Sequence, residues 1–600
     1  MKKPSLYLGL LLMLGAMGLP ARSGDTANLE ARRKELNQLL ADEWEYEMHE
    51  SPEYATIVGD YRYNDKWGDY SLANVPKQRA AMQKWQSRFE AVDTTGFPEQ
   101  EKLSSVMMIR NLKEGIESID LKLYLMPVDQ FNGVHLFLAT MVSRIPFNTT
   151  KQYEDYLSRL HKLPLVIDQT IEVLQEGEKE KLQPPAYLLE KTATQCSAIA
   201  EPAGLANSFA QPVSHFPDAV TPADQKRLHD AILAAVDDQV RPAFRKLQNF
   251  LSTNYAPKGR KNEGLWSLPN GEALYRFFIR LQTTTTLEPE SIHQLGLKEV
   301  ARIQAEQMAI AKKLGFADLK TFQASLKTNQ KLVPASREQI LELYRGYIAQ
   351  MEPQLPKYFG LLPKTRVEVK PMESYREKDA SGAEYEQGTP DGSRPGAVKV
   401  NTGDYQHRTT PEIESTAYHE GIPGHHMQIS IAQTLPELPK FRQEGGNNAY
   451  VEGWALYAER LGKEMGFYQD PYSDYGRLEA EMLRAMRLVL DTGVHYKHWT
   501  RQQMVDYFHE FSSEDEPEVQ SETDRYIANP AQALGYKLGE LDILKLRQQA
   551  QDELGAHFDV RAFHDEILNA GALPLDLLDQ RLTSWIAQQK AATPQARPTN

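Results

Sequence analysis

Three of the chain's fifteen histidines and one glutamate fall within nine residues, Tyr418-His419-Glu420-Gly421-Ile422-Pro423-Gly424-His425-His426. Imidazole nitrogens and carboxylate oxygens are the usual donors to zinc and its neighbours, and a carboxylate beside such an ion is a ready base for water. The chemistry this run points to is metal-assisted hydrolysis. A polar helix end carrying surface histidines is the plainer reading, but nothing else in the chain concentrates metal ligands so tightly.

The run is similar to the His-Glu-x-x-His motif, in which two histidines four apart share a helix face and the glutamate activates water. Here the fourth position after His419 is Pro423, and the next histidines follow at six and seven. Pro423 removes a backbone donor and disfavours helical geometry at Ile422, while Gly424 admits dihedrals closed to other residues. A helix broken at Pro423-Gly424 can swing His425 back toward His419. On an unbroken helix His426 keeps the face of His419 but sits roughly 10 Å along the axis, a long reach for one ion. His425 is the favoured ligand, and His426 is expected on the substrate side or behind the ligands. For a third ligand, Glu452-Gly453-Trp454-Ala455-Leu456-Tyr457-Ala458-Glu459 reads as a helix start after the loop Gly445-Gly446-Asn447-Asn448. Glu452 would complete a His2Glu set with a position open for water, and Glu459, seven on, would orient a ligand. Both would otherwise read as surface glutamates.

Several separated motifs carry a resemblance. They are Asp391-Gly392-Ser393-Arg394-Pro395-Gly396, then Glu414-Ser415-Thr416-Ala417-Tyr418 leading into the histidine run, and the Glu452–Glu459 segment. Asp491-Thr492-Gly493-Val494-His495 follows, then Asp524-Arg525-Tyr526 with Pro530-Ala531-Gln532-Ala533 and Tyr536. In this order, from about Leu39 to Leu582, the chain resembles the bacterial family called domain of unknown function 885. That family is similar to helical zinc peptidases of the oligopeptidase and neurolysin type and to related carboxypeptidases. The resemblance implies a mainly α fold of many helices around a deep cleft. It also implies His425 rather than His426 as ligand, since a glycine precedes the second histidine in those enzymes. By the same token Tyr536, in a Gly-Tyr segment, is expected to stabilise the oxyanion. Tyr526, Arg525 and His495 are further candidates; Arg525 suits a bidentate grip on a substrate carboxylate. Taken singly, each reads as ordinary packing or surface pairing.

Composition sets limits. With 68 basic and 82 acidic residues the net charge is −14, which argues against a nucleic-acid partner. Lys2-Lys3, an apolar run from Leu6 to Leu19 and the small-residue exit through Ser23 read as a cleaved secretory leader over residues 1–23, too short for an ordinary membrane span. An exported, periplasmic or extracellular protein is expected, without stable membrane insertion. No cysteine follows the leader, so no lipid anchor on a new N-terminal cysteine is expected. The single Cys196 excludes an intramolecular disulfide and any site built from several cysteines.

The elements that must position these groups read as helices. Apolar residues recur at three- and four-residue spacing over 28–49, 77–92, 98–119, 150–176, 221–251, 290–314, 336–355 and most of 471–490. The exception is 365–405, where Thr365–Val369 and Ala397–Asn401 alternate around Gly, Asp, Ser and Pro, the mark of a small sheet just before the metal helix. Gly396–Asn401 is expected either along the cleft, holding extended substrate by strand addition with Arg394 and Asn401 on the substrate side, or as a structural edge strand. A loose boundary near 254–264 suggests lobes at 24–256 and 257–590 within one continuous family domain, and a disordered tail over 591–600. The functional expectation is a peptidase holding one Zn2+ (or another divalent ion) per chain on His419, His425 and Glu452, with Glu420 as base. A peptide-binding protein without activity, and a hydrolase of another amide or ester, are the alternatives.

Overall fold

The computed structural model describes residues 23–372, 377, 381–389, 392 and 394–592, and the described chain is mainly helical with one small sheet. The expected leader lies outside these residues except for Ser23, as does the expected tail except for residues 591–592; both exceptions are helical. Each long period expected to be helical is helical, the one over 336–355 passing from an α-helix at Arg337–Met351 through a 3-10 turn at Glu352–Gln354. Thr150–Lys179 opens on a reciprocal capping box between Thr149 and Gln152, which satisfies two backbone donors the helix itself cannot. The expected helix over 221–251 is a helical run with two π-helical stretches, at Val236–Val240 and Leu251–Tyr255.

Six helices and three strands position the site. The strands are β1 (Val367–Pro371), β2 (Ala383–Glu386) and β3 (Gly396–Val400). The helices are α1 (Ile413–Glu420), α2 (His425–Gln433), α3 (Asn448–Glu464), α4 (Pro471–His495), α5 (Glu516–Ala528) and α6 (Leu534–Leu554). The sheet order is β1-β3-β2, with β3 parallel to β1 and antiparallel to β2. This corrects the expectation for Gly396–Asn401: β3 is the central strand, hydrogen-bonded on both sides, so it offers no edge to a substrate. β2, the strand not foreseen, carries an outer edge of the sheet.

α3 and α6 approach until backbone meets backbone. A methyl at Gly539 would stand 1.8 Å from the Ala449 carbonyl oxygen, and one at Gly453 would stand 2.4 Å from the Gly539 Cα. Only glycine allows that separation, so these two positions set the distance between the helix of Glu452 and the helix of Tyr536. α4 is buried along nearly its whole length. Its charged residues find partners within the core: Glu481 pairs with the fully buried Lys537, which also meets Glu540 at 2.7 Å and Glu299 at 3.4 Å.

One apolar core draws its fully buried members from residues 128–256, and another joins α1, α2, α3, α6 and the C-terminal helices. His564 is sealed in the second. Its Nδ1–H donates to the Tyr358 carbonyl at 2.9 Å and its Nε2 accepts from the Tyr457 hydroxyl at 2.8 Å. Burial pulls the ring down to about 3, against the smaller opposing pull of the Tyr358 carbonyl. A histidine depressed in this way gives full stability above its unfolded value near 6.5, and that stability is lost as pH falls toward 3. His564→Phe is therefore expected to cost about 2 kcal/mol at pH 7, because two polar partners are orphaned. The gap to wild type narrows as pH is lowered to 4, since only the wild type pays for charging the ring. Guanidinium unfolding at several pH values reads this directly; a gap independent of pH would refute it.

Candidate metal centre

The break foreseen at Pro423-Gly424 is where α1 ends and α2 begins. The chain turns through a cis Ile422–Pro423 bond, and the Gly424 N–H donates back to the Tyr418 carbonyl at 3.0 Å. A methyl on Gly424 would lie 2.0 Å from the His419 carbonyl oxygen and 2.4 Å from that of Tyr418, so the return of the chain depends on glycine. The Trp454 indole N–H, from α3, donates to the Pro423 carbonyl at 2.9 Å and pins the turn from outside.

This folding sets the His419 and His425 rings 4.7 Å apart and nearly perpendicular, with both Nε2 atoms turned toward Glu452. Glu452 Oε2 is 3.6 Å from His419 Nε2 and 3.5 Å from His425 Nε2. Ligands about 2.0–2.1 Å from a tetrahedral zinc stand roughly 3.4 Å from one another, so this donor set fits such an ion. Glu420 Oε1 is 4.0 Å from His419 Nε2, and ligand atoms of His419, Glu420 and His425 all lie within 4.8 Å of one another. Behind the ligands, His419 Nδ1–H donates to Glu459 Oε1 at 2.7 Å, which fixes the tautomer that leaves Nε2 free.

The electrostatics are those of a buried place that calls for positive charge. Burial pulls His419 down, yet the carboxylates of Glu452, Glu459 and Glu420 overcome it and raise the ring to about 9. Burial pushes Glu452 up, but its contacts with the two imidazoles hold it well below the usual carboxylate range. Glu420 is raised by burial, with the two histidines opposing. Three carboxylates around two imidazoles are balanced best by a cation among them. Glu459→Gln is expected to lower zinc affinity ten- to a hundredfold by removing the ionised acceptor of the His419 N–H. Competition against a chromophoric chelator measures it, and unchanged affinity would deny Glu459 that role.

The sequence did not single out Arg484. It lies on α4 with its guanidinium 3.8 Å from Glu459 Oε1, NH1 on the Ala480 carbonyl at 3.0 Å, and a buried Nε without a partner. It compensates the charge of Glu459 at the same carboxylate oxygen that accepts from His419. No motif marks it, because its relevance comes only from the packing of α4 on α1 and α3.

The other expected site residues are placed differently. His426 turns away from the trio: one ring nitrogen meets the Thr365 carbonyl at 3.0 Å, the other the Tyr385 hydroxyl at 3.0 Å. It struts α2 against the sheet, and Gly396 makes room for it, since a methyl there would meet Tyr385 and His426. Burial pulls His426 down to about 4. A substrate-side role is thus replaced by a structural one. His495 is corrected in the same way: Nδ1 accepts from the Leu265 N–H at 3.1 Å and Nε2 donates to the Tyr526 carbonyl at 2.9 Å, so both nitrogens serve backbone. Arg394 is exposed and donates to the Gln387 carbonyl, and Asn401 is buried in the turn after β3, where its side chain accepts from the Gly403 N–H.

Tyr526, Arg525 and Tyr536 form a network of their own. Glu522 on α5 accepts from the Tyr526 hydroxyl, from Arg487 at 2.8 Å and from Arg525 at 3.0 Å. Arg525 also donates to the Tyr536 hydroxyl at 3.2 Å, and the Arg487 guanidinium lies 4.3 Å from the Tyr536 ring centre. Tyr526 is fully buried, which takes it out of reach of a substrate. Among the described residues no hydrogen bond or ion pair joins this network to His419, His425 or Glu452. What brings it alongside is the Gly453–Gly539 contact between α3 and α6.

Known proteins share this architecture. A structure described as "the putative lipoprotein from Colwellia psychrerythraea" is similar with a TM-score of 0.86 at 29% identity, covering 94% of this chain and 99% of that one. A second, "a putative lipoprotein of unknown function from Shewanella oneidensis", is similar with a TM-score of 0.71 at 17% identity, covering 92% of this chain and 99% of that one; at that identity the likeness is of fold. No curated protein matches. The family described as "Bacterial protein of unknown function (DUF885)" matches residues 52–582. That match takes in the candidate metal centre, the sheet and the Arg525–Tyr536 network together, and the chain belongs to this family.

Proposed function

We propose that this protein is an exported, zinc-dependent peptidase acting on short peptides. The observation that carries the reading is the convergence of two imidazole Nε2 atoms on one carboxylate oxygen of Glu452, at 3.6 and 3.5 Å, with a further carboxylate, Glu420, beside them. A site that held metal only for structure has no use for that fourth group. His419, His425 and Glu452 would hold the ion, and other divalent ions suit the same donors. When bound, it supplies the Lewis acidity that brings a water near neutral ionisation and polarises a carbonyl.

The chain's own residues do the rest. Glu420 holds the proton taken from the attacking water and hands it to the leaving amine; burial, which raises its affinity for a proton, suits it to that exchange. Glu459 keeps the His419 ring in one tautomer. Tyr536 is the candidate donor to the developing oxyanion, with Arg525 orienting its hydroxyl and available to a substrate carboxylate. The outer edge of β2 is where an extended peptide backbone would add to the sheet. Export is supported by the expected leader and by the lipoprotein description of the similar Colwellia structure; among the described residues no helix is long and apolar enough to cross a membrane.

The test is metal analysis of the purified protein followed by a pool of short peptides with and without chelator. One zinc per chain with chelator-sensitive cleavage is expected. Protein that cannot be loaded with zinc, or cleavage indifferent to chelation, would end the proposal.

A further inference from the structure

A cavity of about 280 Å³ lies against the Asn529-Pro530-Ala531-Gln532 loop, a motif the metal chemistry leaves unused. Part of its wall is apolar, built by Leu123, Met126, Leu188, Leu265 and Phe278, and Asn132, Gln282, Asn529 and Gln532 line the rest with Asp129 and Arg260. One cation lines it. Arg260 is anchored at both ends, its backbone N–H on the Pro184 carbonyl at 3.2 Å and its NH1 on the Gly264 carbonyl at 2.7 Å. Its Nε is buried without a partner, and among the described residues no carboxylate pairs with the guanidinium. Asp129, the acid on the same wall, is already taken: it accepts from the backbone N–H groups of Phe131 and Asn132. Glu263 acts on the guanidinium only at a distance, and a guanidinium without a paired carboxylate in a half-open, partly apolar cavity is a group that can take its partner from elsewhere.

The loop is braced rather than loose. Ala531 holds a left-handed conformation at φ 63°, and its N–H donates to Asp491 at 2.9 Å. Strain of this kind at a residue other than glycine persists only where the surroundings impose it. His495 ties the Leu265 and Tyr526 backbones from the same helix. The Asp491–His495 motif therefore fixes two walls of one cavity. The Gln532 side chain at the rim accepts from Arg525 at 2.9 Å, so the cavity backs onto the Arg525–Tyr536 pair.

We propose that this cavity binds a small apolar carboxylate, with Arg260 as its counter-ion and the hydrocarbon body against the Leu188 and Phe278 wall. The volume exceeds the roughly 150 Å³ of an apolar cavity that takes up benzene, leaving space for a ring or branched chain with a charged end. The inference stands apart from the peptidase reading, because it uses none of the metal-centre residues.

Calorimetric titration of the full chain with 3-phenylpropionate, and with 3-phenylpropanamide as the uncharged counterpart, tests it. One molecule of the acid is expected to bind per cavity, with the amide weaker by about tenfold or more. Arg260→Gln is expected to weaken the acid to the level of the amide. Ala528→Phe, which fills the cavity while leaving Arg260 in place, is expected to abolish binding of both. His419→Ala leaves binding intact, which separates this site from carboxylate uptake at the metal centre. Equal binding of acid and amide, binding lost in His419→Ala but kept in Arg260→Gln, or no binding of the acid would each overturn the proposal.

Discussion

Glu420→Gln is expected to reduce peptide hydrolysis by about a thousandfold while zinc stays bound at one per chain. The amide keeps the shape and most of the contacts of the acid but cannot accept a proton. General-base catalysis of this type contributes on the order of 10²–10⁴ in rate. Zinc retention follows because the two imidazoles and Glu452 converge without Glu420, whose nearest approach to His419 Nε2 is 4.0 Å. The measurement is paired: metal content by elemental analysis, and turnover of the best peptide from the pool. If the variant cleaves at the wild-type rate, Glu420 is not the base; if it loses zinc, Glu420 belongs among the ligands.

Gly424→Ala is expected to weaken zinc binding more than a hundredfold and to destabilise the protein by about 3 kcal/mol. The added methyl would stand 2.0 Å from the His419 carbonyl oxygen and 2.4 Å from that of Tyr418. Both clashes are with backbone, so no side-chain rotation relieves them, and overpacking of this kind costs about 1–3 kcal/mol or more. The relief available is to move α2 away from α1, which carries His425 away from His419. Gly446→Ala is the control: its nearest neighbour would be a Val451 methyl at 3.4 Å, an ordinary contact. Zinc affinity like the wild type in Gly424→Ala would mean that the ligand geometry does not depend on this turn.

Much of the geometry of the candidate metal centre was legible in the sequence because its parts are local. Pro423 and Gly424 announced the break, and a break is what brings His425, not His426, beside His419. Glu452 and Glu459 lie seven apart on one helix, so a single face presents Glu452 to the two Nε2 atoms and Glu459 to His419 Nδ1. What was not legible is tertiary. His426 and His495 looked like chemistry because histidine is rare and reactive, yet each spends both nitrogens on hydrogen bonds within the fold. No local pattern distinguishes such a strut from a ligand. Arg484 was missed for the opposite reason: an arginine on a long helix reads as surface until α4 is seen to be buried. The sheet was placed correctly in the chain but not in its order, since pairing of β3 with both β1 and an unforeseen β2 is set by contacts far apart in sequence.

The glycine seam between α3 and α6 has a mechanical consequence. Where main chain rests on main chain, neither rod can slide or roll without collision, so Glu452 and Tyr536 ride on one rigid block. Any breathing of the molecule must carry both together, and the compliant joint must lie elsewhere in the chain.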